Sequence, residues 1–392
     1  MSVHLSRIVS CVAAAAWAVS GGVASASAQG NTALPLRVFQ RAVENARAAH
    51  ARLASPPPRV VPGSAQYQNA LTMLQAGRLF EAQTAMQAAI RADTSSALYR
   101  GDMAAIQVGM QDADAASLQL VIARQKQPRN LWYTVALSAV MAMRLQFPDA
   151  SLNLDVAVAG DSSIVDSTLA EAAVAWAWRA RRMPQLAAWS QLATARYPGL
   201  AEPWYRLASY YQQQRDTTRG VAAIQRYLSL RPTDRQGMFL YAVFLFNLQR
   251  NDSALVLALQ TVQDSALQTN SAEILFGVGA RALQANQVDT AMLALPAALA
   301  NSAPDLRPRI SLFLGYAELG HIAALDQQAE RNRACDIAQR LDTLVTSAAE
   351  HLSAGIALDS ARVAGIVGGT LPQYRQRSAA MVGQYCGRRR ND

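Results

Sequence analysis

The feature that most constrains this chain is a repeat of about 34 residues that fills its middle. The clearest unit runs from Ala201 to Asp234, with Trp204 at its fourth position and Leu207 at its seventh. Seven units follow one register, at intervals of 34, 34, 36, 34, 34 and 37 residues. They begin at Gly63, Ala97, Leu131, Ser167, Ala201, Arg235 and Ala272. A unit this short cannot enclose a core alone, so neighbouring units must stack to make one.

Small side chains recur at three positions of the repeat. Position 8 holds Ala70, Ala104, Ser138, Val174, Ala208, Ala242 and Gly279. Position 20 holds Ala82, Ala116, Ala150, Leu186, Gly220, Ala254 and Ala291. Position 27 holds Ala89, Ala123, Ala157, Ala193, Tyr227, Thr261 and Ala298. Small residues let two helix axes approach to the short end of the usual range of about 8–10 Å. The pattern predicts two closely packed helices in each repeat.

The period and these positions resemble the tetratricopeptide repeat (TPR) over residues 63–305. Trp204, Tyr211 and Pro232 stand at positions 4, 11 and 32, as in that family. The resemblance implies an all-α solenoid of antiparallel helix pairs, called helix A and helix B, that stack into a right-handed superhelix. Leu186 and Gly220 depart from the alanine usual at position 20, which affects local packing and not the fold.

The N-terminus is typical of a secretory signal peptide, predicted over residues 1–28. An apolar stretch from Ile8 to Val23 precedes Ala26-Ser27-Ala28, a pattern that signal peptidase accepts, so the mature chain would begin at Gln29. A lipoprotein box at Cys11 fits less well because the apolar stretch follows that cysteine. An uncleaved anchor would need about 20 apolar residues. We therefore expect export, to the periplasm or the medium of a bacterium, with no integral membrane segment in the mature chain.

Two cysteines, Cys335 and Cys386, remain after the predicted cleavage. An even number in an oxidising compartment favours a disulfide between them. The alternative is two independent buried thiols. A zinc site is disfavoured, because two cysteines cannot supply four ligands and no histidine lies at ligand spacing. We therefore expect neither a metal nor a cofactor.

The flanks of the repeats differ from them. Residues 29–62 contain one helix, predicted from Leu36 to Leu53, and a proline-rich linker. Residues 306–392 begin with a partial eighth repeat at Leu314-Gly315 and continue in helices of other spacing. Since a terminal repeat exposes one apolar side, we interpret this tail as a helical cap clamped by the predicted disulfide.

Candidate binding residues follow from the TPR resemblance, which implies that helix A positions 2, 5, 9, 12 and 13 line the concave face. The candidates carried over in this way are Tyr205, Ser209, Gln212, Phe239, Phe246, Asn247 and Phe276. Their aromatic side chains form a stripe suited to an apolar segment of a protein or peptide partner. In the preceding repeat Trp178 falls on the same stripe, whereas Trp176 points inward. The alternative is that the aromatic residues form core between repeats.

Charge and motifs exclude several function classes. The 36 basic residues against 27 acidic ones give a net charge of +9, but they are dispersed, and an exported protein rarely meets nucleic acid. The run Gly277-Val278-Gly279 resembles a dinucleotide motif but lies inside a helix A, where no phosphate loop forms. We find no catalytic motif and expect a non-enzymatic scaffold that binds a protein or peptide in cell-envelope assembly or maintenance. The alternatives are an envelope enzyme and an accessory subunit of a cell-wall or secretion complex.

Overall fold

The computed structural model describes residues 28–53 and 61–386, and the regular elements in these ranges are all helical. Except for Ala28, the predicted signal peptide lies outside the described residues, as do residues 54–60 of the predicted linker. The fold is an all-α TPR-like solenoid. The described residues divide into two compact units, residues 28–230 and 231–386, which we call the first and the second unit.

The first unit consists of one long helix, α1, followed by five helix pairs. Its helices are α1 Ala28–Leu53, α2 Ser64–Gln75, α3 Leu79–Ala92, α4 Ala97–Gly109, α5 Ala113–Lys126, α6 Trp132–Met143, α7 Phe147–Gly160, α8 Ser167–Arg179, α9 Met183–Arg196, α10 Ala201–Gln213 and α11 Thr217–Leu230. Even-numbered helices from α2 to α10 are therefore helix A of repeats 1 to 5. The odd-numbered helices from α3 to α11 are helix B.

The second unit holds repeats 6 and 7 and the C-terminal cap. Its helices are α12 Arg235–Asn247, α13 Asn251–Thr261, α14 Gln268–Gln284, α15 Val288–Asn301, α16 Arg307–Asn332, α17 Cys335–Ala354, α18 Ser360–Gly365 and α19 Leu371–Cys386. A π-helical turn, Ile366–Thr370, links the last two. Among the described residues, no helix combines the length and apolar character needed to cross a bilayer.

Burial of the small positions confirms the predicted register of the helix pairs. The alanines at positions 8, 20 and 27 of the first two repeats are fully buried: Ala70, Ala82, Ala89, Ala104, Ala116 and Ala123. In repeat 7, a Cβ added to Gly279 would lie 2.6 Å from Cγ of Leu295, far inside van der Waals contact. A larger residue at position 8 would therefore push the two helices of a pair apart.

Repeat 7 begins earlier than the register predicts, because α14 starts at Gln268 rather than at Ala272. Pro296 lies inside the last helix B, and α15 continues through it to Asn301. A proline inside a helix removes one backbone hydrogen bond, and the burial of Ala294, Leu295 and Ala298 offsets that loss.

A left-handed residue separates helix A from helix B in every repeat. Position 15 has φ between 54° and 73°, at Gly77, Gln111, Leu145, Arg181, Arg215, Gln249 and Asn286. In repeat 3 the next amide, that of Gln146, donates to the Met141 carbonyl at 2.9 Å. This hydrogen bond caps the C-terminal end of helix A, where glycine is the usual left-handed residue. Six of the seven repeats therefore keep a side chain in a conformation that favours glycine.

Replacing Leu145 with glycine should stabilise the first unit. Leu145 has φ of 61° and is 65% exposed, so Leu145→Gly relieves backbone strain and loses little burial. We expect a gain of about 1 kcal/mol in the free energy of unfolding. The matched control is Gly77→Ala, where the added Cβ meets no atom within 4 Å but the backbone is left-handed. It should lose about 1 kcal/mol. Urea titration followed by tryptophan fluorescence measures both, and an unchanged midpoint for both variants would contradict the argument.

The C-terminal cap has its own core and a covalent clamp. The Cys335–Cys386 disulfide confirms the predicted pairing and joins the start of α17 to the end of α19. Between these ends, side chains of α16, α17 and α19 bury one another. The members most fully buried are Ile322, Ala329, Ala338, Leu341, Val345, Ala348 and Leu352. The tail thus covers the last repeat, as the sequence predicted for a terminal cap.

One buried polar cluster in the cap makes its stability depend on pH. Glu318 accepts a hydrogen bond from Ser347 at 2.6 Å and pairs with Nδ1 of His351 at 2.9 Å. The hydrogen bond to Glu318 raises the pKa of His351 above its ordinary value of 6.5, against the opposing effect of burial. Because the folded pKa is raised, the stabilisation is fully present below about pH 6.5 and is lost as the pH rises through the folded value.

The expected result is that His351→Gln destabilises the protein more at pH 6 than at pH 8.5. Urea titrations of both proteins by far-UV circular dichroism at the two pH values measure this difference. His321→Gln is the matched control, because this histidine lies on α16 but is 3.9 Å from the exposed Asp289. An equal effect of His351→Gln at both pH values would mean that the charged pair contributes nothing.

Candidate functional site

The inner face of repeats 2 to 4 is covered by α1. This helix packs along α6 and touches α4 on one side and α8 on the other. Its apolar stripe is buried against them, and consists of Val38, Phe39, Ala42, Val43 and Ala46. On α6, three of the five positions expected to line a concave face are also buried: Val135, Ala139 and Ala142. The chain therefore fills with its own helix the groove that the TPR resemblance would leave open there.

Polar contacts fix α1 in that groove at its middle and near its C-terminal end. Near the C-terminal end, Asn130 donates to the Ala46 carbonyl at 2.9 Å, and His50 contacts Gln127 at 3.1 Å. At the middle, Arg41 forms an ion pair with Asp166 on the edge of α8. Basic residues of α1 thus meet acidic or amide groups of the repeats.

One of these contacts is an ion pair between the partly exposed Arg47 of α1 and the buried Asp102 of α4. Asp102 is 1% exposed, and its carboxylate accepts from Nε of Arg47 at 2.8 Å and from the Tyr67 hydroxyl at 2.6 Å. Burial raises the pKa of Asp102, whereas Arg47 and the Tyr67 hydroxyl act in the opposite direction. Burial and the neighbouring carboxylate raise the pKa of Tyr67, so its hydroxyl stays protonated and remains a donor.

Repeats 4 and 5 present a second, partly exposed surface, which we call the aromatic–arginine patch: Trp178, Glu202, Tyr205 and Arg206. The Arg206 guanidinium lies 4.4 Å from the Trp178 ring centroid and 5.3 Å from that of Tyr205. Glu202 accepts from Arg206 at 2.6 and 2.7 Å, which holds the guanidinium in place. All four side chains are of intermediate exposure. Trp176, in contrast, is buried, as predicted.

The patch continues along α10 through two of the predicted groove residues. Ser209 and Gln212 follow Tyr205 by one and two helical turns and are half-buried. The Ser209 hydroxyl donates to the Tyr205 carbonyl at 2.9 Å, and its oxygen can still accept. On the other side, Arg179 lies 4.9 Å from the Phe147 ring; burial and the charge of Arg206 lower its pKa. The predicted candidates Tyr205, Ser209 and Gln212 therefore share one surface.

In the second unit, the predicted aromatic stripe is core. Phe239, Phe246 and Phe276 are 6%, 3% and 4% exposed and belong to one apolar cluster, so they are not accessible as groove anchors. Phe246 is covered by the Arg281 guanidinium at 3.7 Å from its centroid. The edge of Phe276 meets Phe313 at 5.3 Å. These three assignments to the groove are therefore corrected to inter-repeat packing, whereas Asn247 is exposed.

The second unit also has a polar cavity of about 520 Å³ beside the turn that precedes α15. Its lining residues are Asp252, Asn286, Gln287, Val288, Asp289, Thr290, Gly320, His321 and Ala324. Among the part of the chain that the structure describes, no group of three or more histidine, cysteine or acidic residues is placed to hold a metal ion. We therefore assign no metal site to this cavity.

No protein-family model and no curated protein sequence matches this chain. Among solved structures, part of a TPR repeat-containing protein from Cytophaga hutchinsonii is 11% identical, with a TM-score of 0.43; the match covers 60% of this chain and 95% of that one. YrrB, described as a TPR protein with an unusual peptide-binding site, is 10% identical with a TM-score of 0.41, covering 45% and 91%. PilW, described as a type IV pilus biogenesis factor, is 14% identical with a TM-score of 0.37, covering 52% and 93%. At these sequence identities and TM-scores, the solved structures give no evidence about the binding site or the partner of this chain.

Proposed function

We propose that this TPR-like solenoid is an exported scaffold that binds a protein or peptide segment through the aromatic–arginine patch and the adjoining Ser209 and Gln212. The observation that carries the proposal is the stacking of Arg206 between Trp178 and Tyr205 on a partly exposed surface. Tryptophan, tyrosine and arginine dominate the binding energy of protein interfaces. The role we assign to the bound complex is cell-envelope assembly or maintenance.

The chemistry of the patch selects for one kind of segment. Glu202 neutralises Arg206, and the two aromatic side chains beside this pair are partly exposed. Gln212 and Ser209 add an amide and a hydroxyl that exchange hydrogen bonds with the backbone of a bound segment. This combination fits an extended or helical segment that places one apolar side chain against the aromatic residues and hydrogen-bonds to Gln212 and Ser209 through polar groups.

Two structural facts favour this surface over the rest of the helix A faces. α1 lies along helix A of repeat 3 and touches helix A of repeats 2 and 4, and in repeats 6 and 7 the predicted anchors Phe239, Phe246 and Phe276 are buried. The patch keeps aromatic side chains at the surface and holds their arginine in a fixed orientation. A preorganised surface of this kind loses less conformational entropy on binding than a flexible one.

The Cys335–Cys386 disulfide supports the exported location, because such bonds persist in oxidising compartments and are rare in a reducing cytosol. The apolar N-terminal stretch and its small-residue cleavage pattern support the same location. Processing after Ala28 would remove only the first residue of α1, Ala28, from the described helix. N-terminal sequencing of the protein from a periplasmic extract should therefore begin at Gln29, and a cytosolic protein that begins at Met1 would contradict export.

The binding surface can be tested by site-specific photo-cross-linking in cells. A photoreactive residue at Gln212 should give a discrete cross-linked product with a partner, whereas one at the exposed Arg226 of α11 should not. Adding Tyr205→Ala and Arg206→Ala should reduce the Gln212 product at least about tenfold, because the loss of two hot-spot residues costs at least about 1.4 kcal/mol of binding energy. Equal products from Gln212 and Arg226, or no effect of the double variant, would reject the patch as the binding surface.

A further inference from the structure

α1 has the form of a ligand bound in a helix-in-groove mode. Its buried residues follow the spacing i, i+1, i+4, i+5 and i+8 from Val38 to Ala46, which places them on one side of the helix. The opposite side is exposed, at Gln40 and Arg41. Peptide-binding grooves that accept helices contact such a stripe and leave the other side in water.

The groove that holds it is complementary in shape. Its floor is α6, where Val135, Ala139 and Ala142 are buried, and α8 lies beside it. Small residues let a helix lie close to this floor, and the larger Phe39 of α1 is 2% exposed. The fit depends on side-chain size and not on shared backbone hydrogen bonds.

The groove is also complementary in charge. Its margin carries Glu171, which lies 3.7 Å from Arg37 of α1, and its far end carries the buried Asp102, which pairs with Arg47. An occupant therefore needs an arginine about two turns after its aromatic anchor, as Arg47 follows Phe39. A helix without that arginine would leave the Asp102 carboxylate buried and unpaired.

We propose that the groove formed by α4, α6 and α8 is an interaction surface for an amphipathic helix of a partner protein, and that α1 is a resident occupant that this helix displaces. The partner helix has a stripe of small and aliphatic residues with one aromatic anchor, and arginines at the places of Arg37 and Arg47. This surface is separate from the aromatic–arginine patch, so the proposal does not rest on the function assigned above.

The test uses the complete mature chain with a protease site in place of residues 55–60. After cleavage, a fluorescent peptide of residues 29–53 should exchange into the groove, measured as a rise in fluorescence anisotropy. A peptide with Arg47→Leu should bind at least tenfold more weakly, because it leaves a buried carboxylate unpaired. Uncleaved protein should bind the same peptide more weakly than cleaved protein, since its own α1 competes at high effective concentration.

A second test exchanges charges between Glu171, on the exposed margin of the groove, and Arg37 of the peptide. Because neither residue is buried, these changes should leave the protein folded. Glu171→Arg in the protein should weaken the native peptide about threefold, and Arg37→Glu in the peptide should restore that loss. If the cleaved protein stays helical and binds no peptide, α1 is a permanent part of the fold and the proposal is overturned. Equal binding of the Arg47→Leu peptide would overturn it too. If the cleaved protein forms a dimer that does not bind the peptide, the groove is occupied by a second copy of this chain, and the proposal of a partner helix is wrong.

Discussion

Arg47→Leu should lower the free energy of unfolding of the first unit by about 2–3 kcal/mol, at or below the low end of the range for breaking a buried ion pair, since the Arg47 side chain is 38% exposed. The reason is that the Asp102 carboxylate is 1% exposed and would keep only the Tyr67 hydroxyl as a partner. Tryptophan fluorescence in urea measures the effect. The tryptophans of the described residues all lie in the first unit, at Trp132, Trp176, Trp178, Trp189 and Trp204.

The destabilised variant should partly recover at low pH. Burial already raises the pKa of Asp102 in the native protein, and the loss of Arg47 removes an influence that lowers it. With a raised folded pKa, stability is present where the carboxyl is protonated and is lost as the pH rises. The difference between Arg47→Leu and the native protein should therefore be smaller at pH 4.5 than at pH 7.5.

A second control separates the ion pair from simple loss of packing. Combining Arg47→Leu with Asp102→Leu and Tyr67→Phe replaces the whole buried cluster with apolar groups. Removing every partner is far less costly than removing one, so most of the lost stability should return. A triple variant that is less stable than Arg47→Leu would show that the position needs polarity for another reason.

Removal of the disulfide should lower the free energy of unfolding of the second unit by roughly 3–4 kcal/mol. The bond closes a loop between residues 51 apart in sequence, and chain-entropy theory gives a loss of that size for such a loop. The double variant Cys335→Ser and Cys386→Ser tests this by far-UV circular dichroism in urea. Each single variant also loses the bond and should therefore be destabilised by about the same amount as the double variant.

The double cysteine variant also tests whether the loss of stability is confined to the second unit. Because the described tryptophans belong to the first unit, their unfolding transition should move less than the transition seen by circular dichroism. Identical shifts in both signals would mean that the two units unfold together, and no shift in either would mean that the disulfide is dispensable. Reduction of the native protein should reproduce the variant's result.

The helix pairs were predictable because their determinants are local. Small residues at positions 8 and 20 face each other within one pair, so a single sequence shows both sides of the contact. The turn was not fully predictable: position 15 is left-handed in all seven repeats but is glycine only at Gly77. At Leu145 and Arg181 the closing of helix A imposes the conformation on residues that do not favour it.

The candidate site was less predictable because it depends on contacts between distant parts of the chain. The spacing from Leu36 to Leu53 indicates an amphipathic helix, but it does not tell which face that helix covers. Similarly, Tyr205 and Phe239 hold the same position in successive repeats, yet only Tyr205 keeps partial exposure. Phe246 is buried partly because Gly277 leaves room for its ring: a Cβ there would lie 2.6 Å from the Phe246 Cζ.

Hydrogen exchange of α1 in the full chain tests the central claim, that this helix occupies the inner face of repeats 2 to 4. The amides of Val38 to Ala46 should be protected in the native protein and exchange far more slowly than those of an isolated peptide of this segment. Arg47→Leu should speed exchange in α1 more than in α10, which lies outside the contacts of α1. Exchange of Val38 to Ala46 at the rate of an isolated peptide in the native protein would contradict the account.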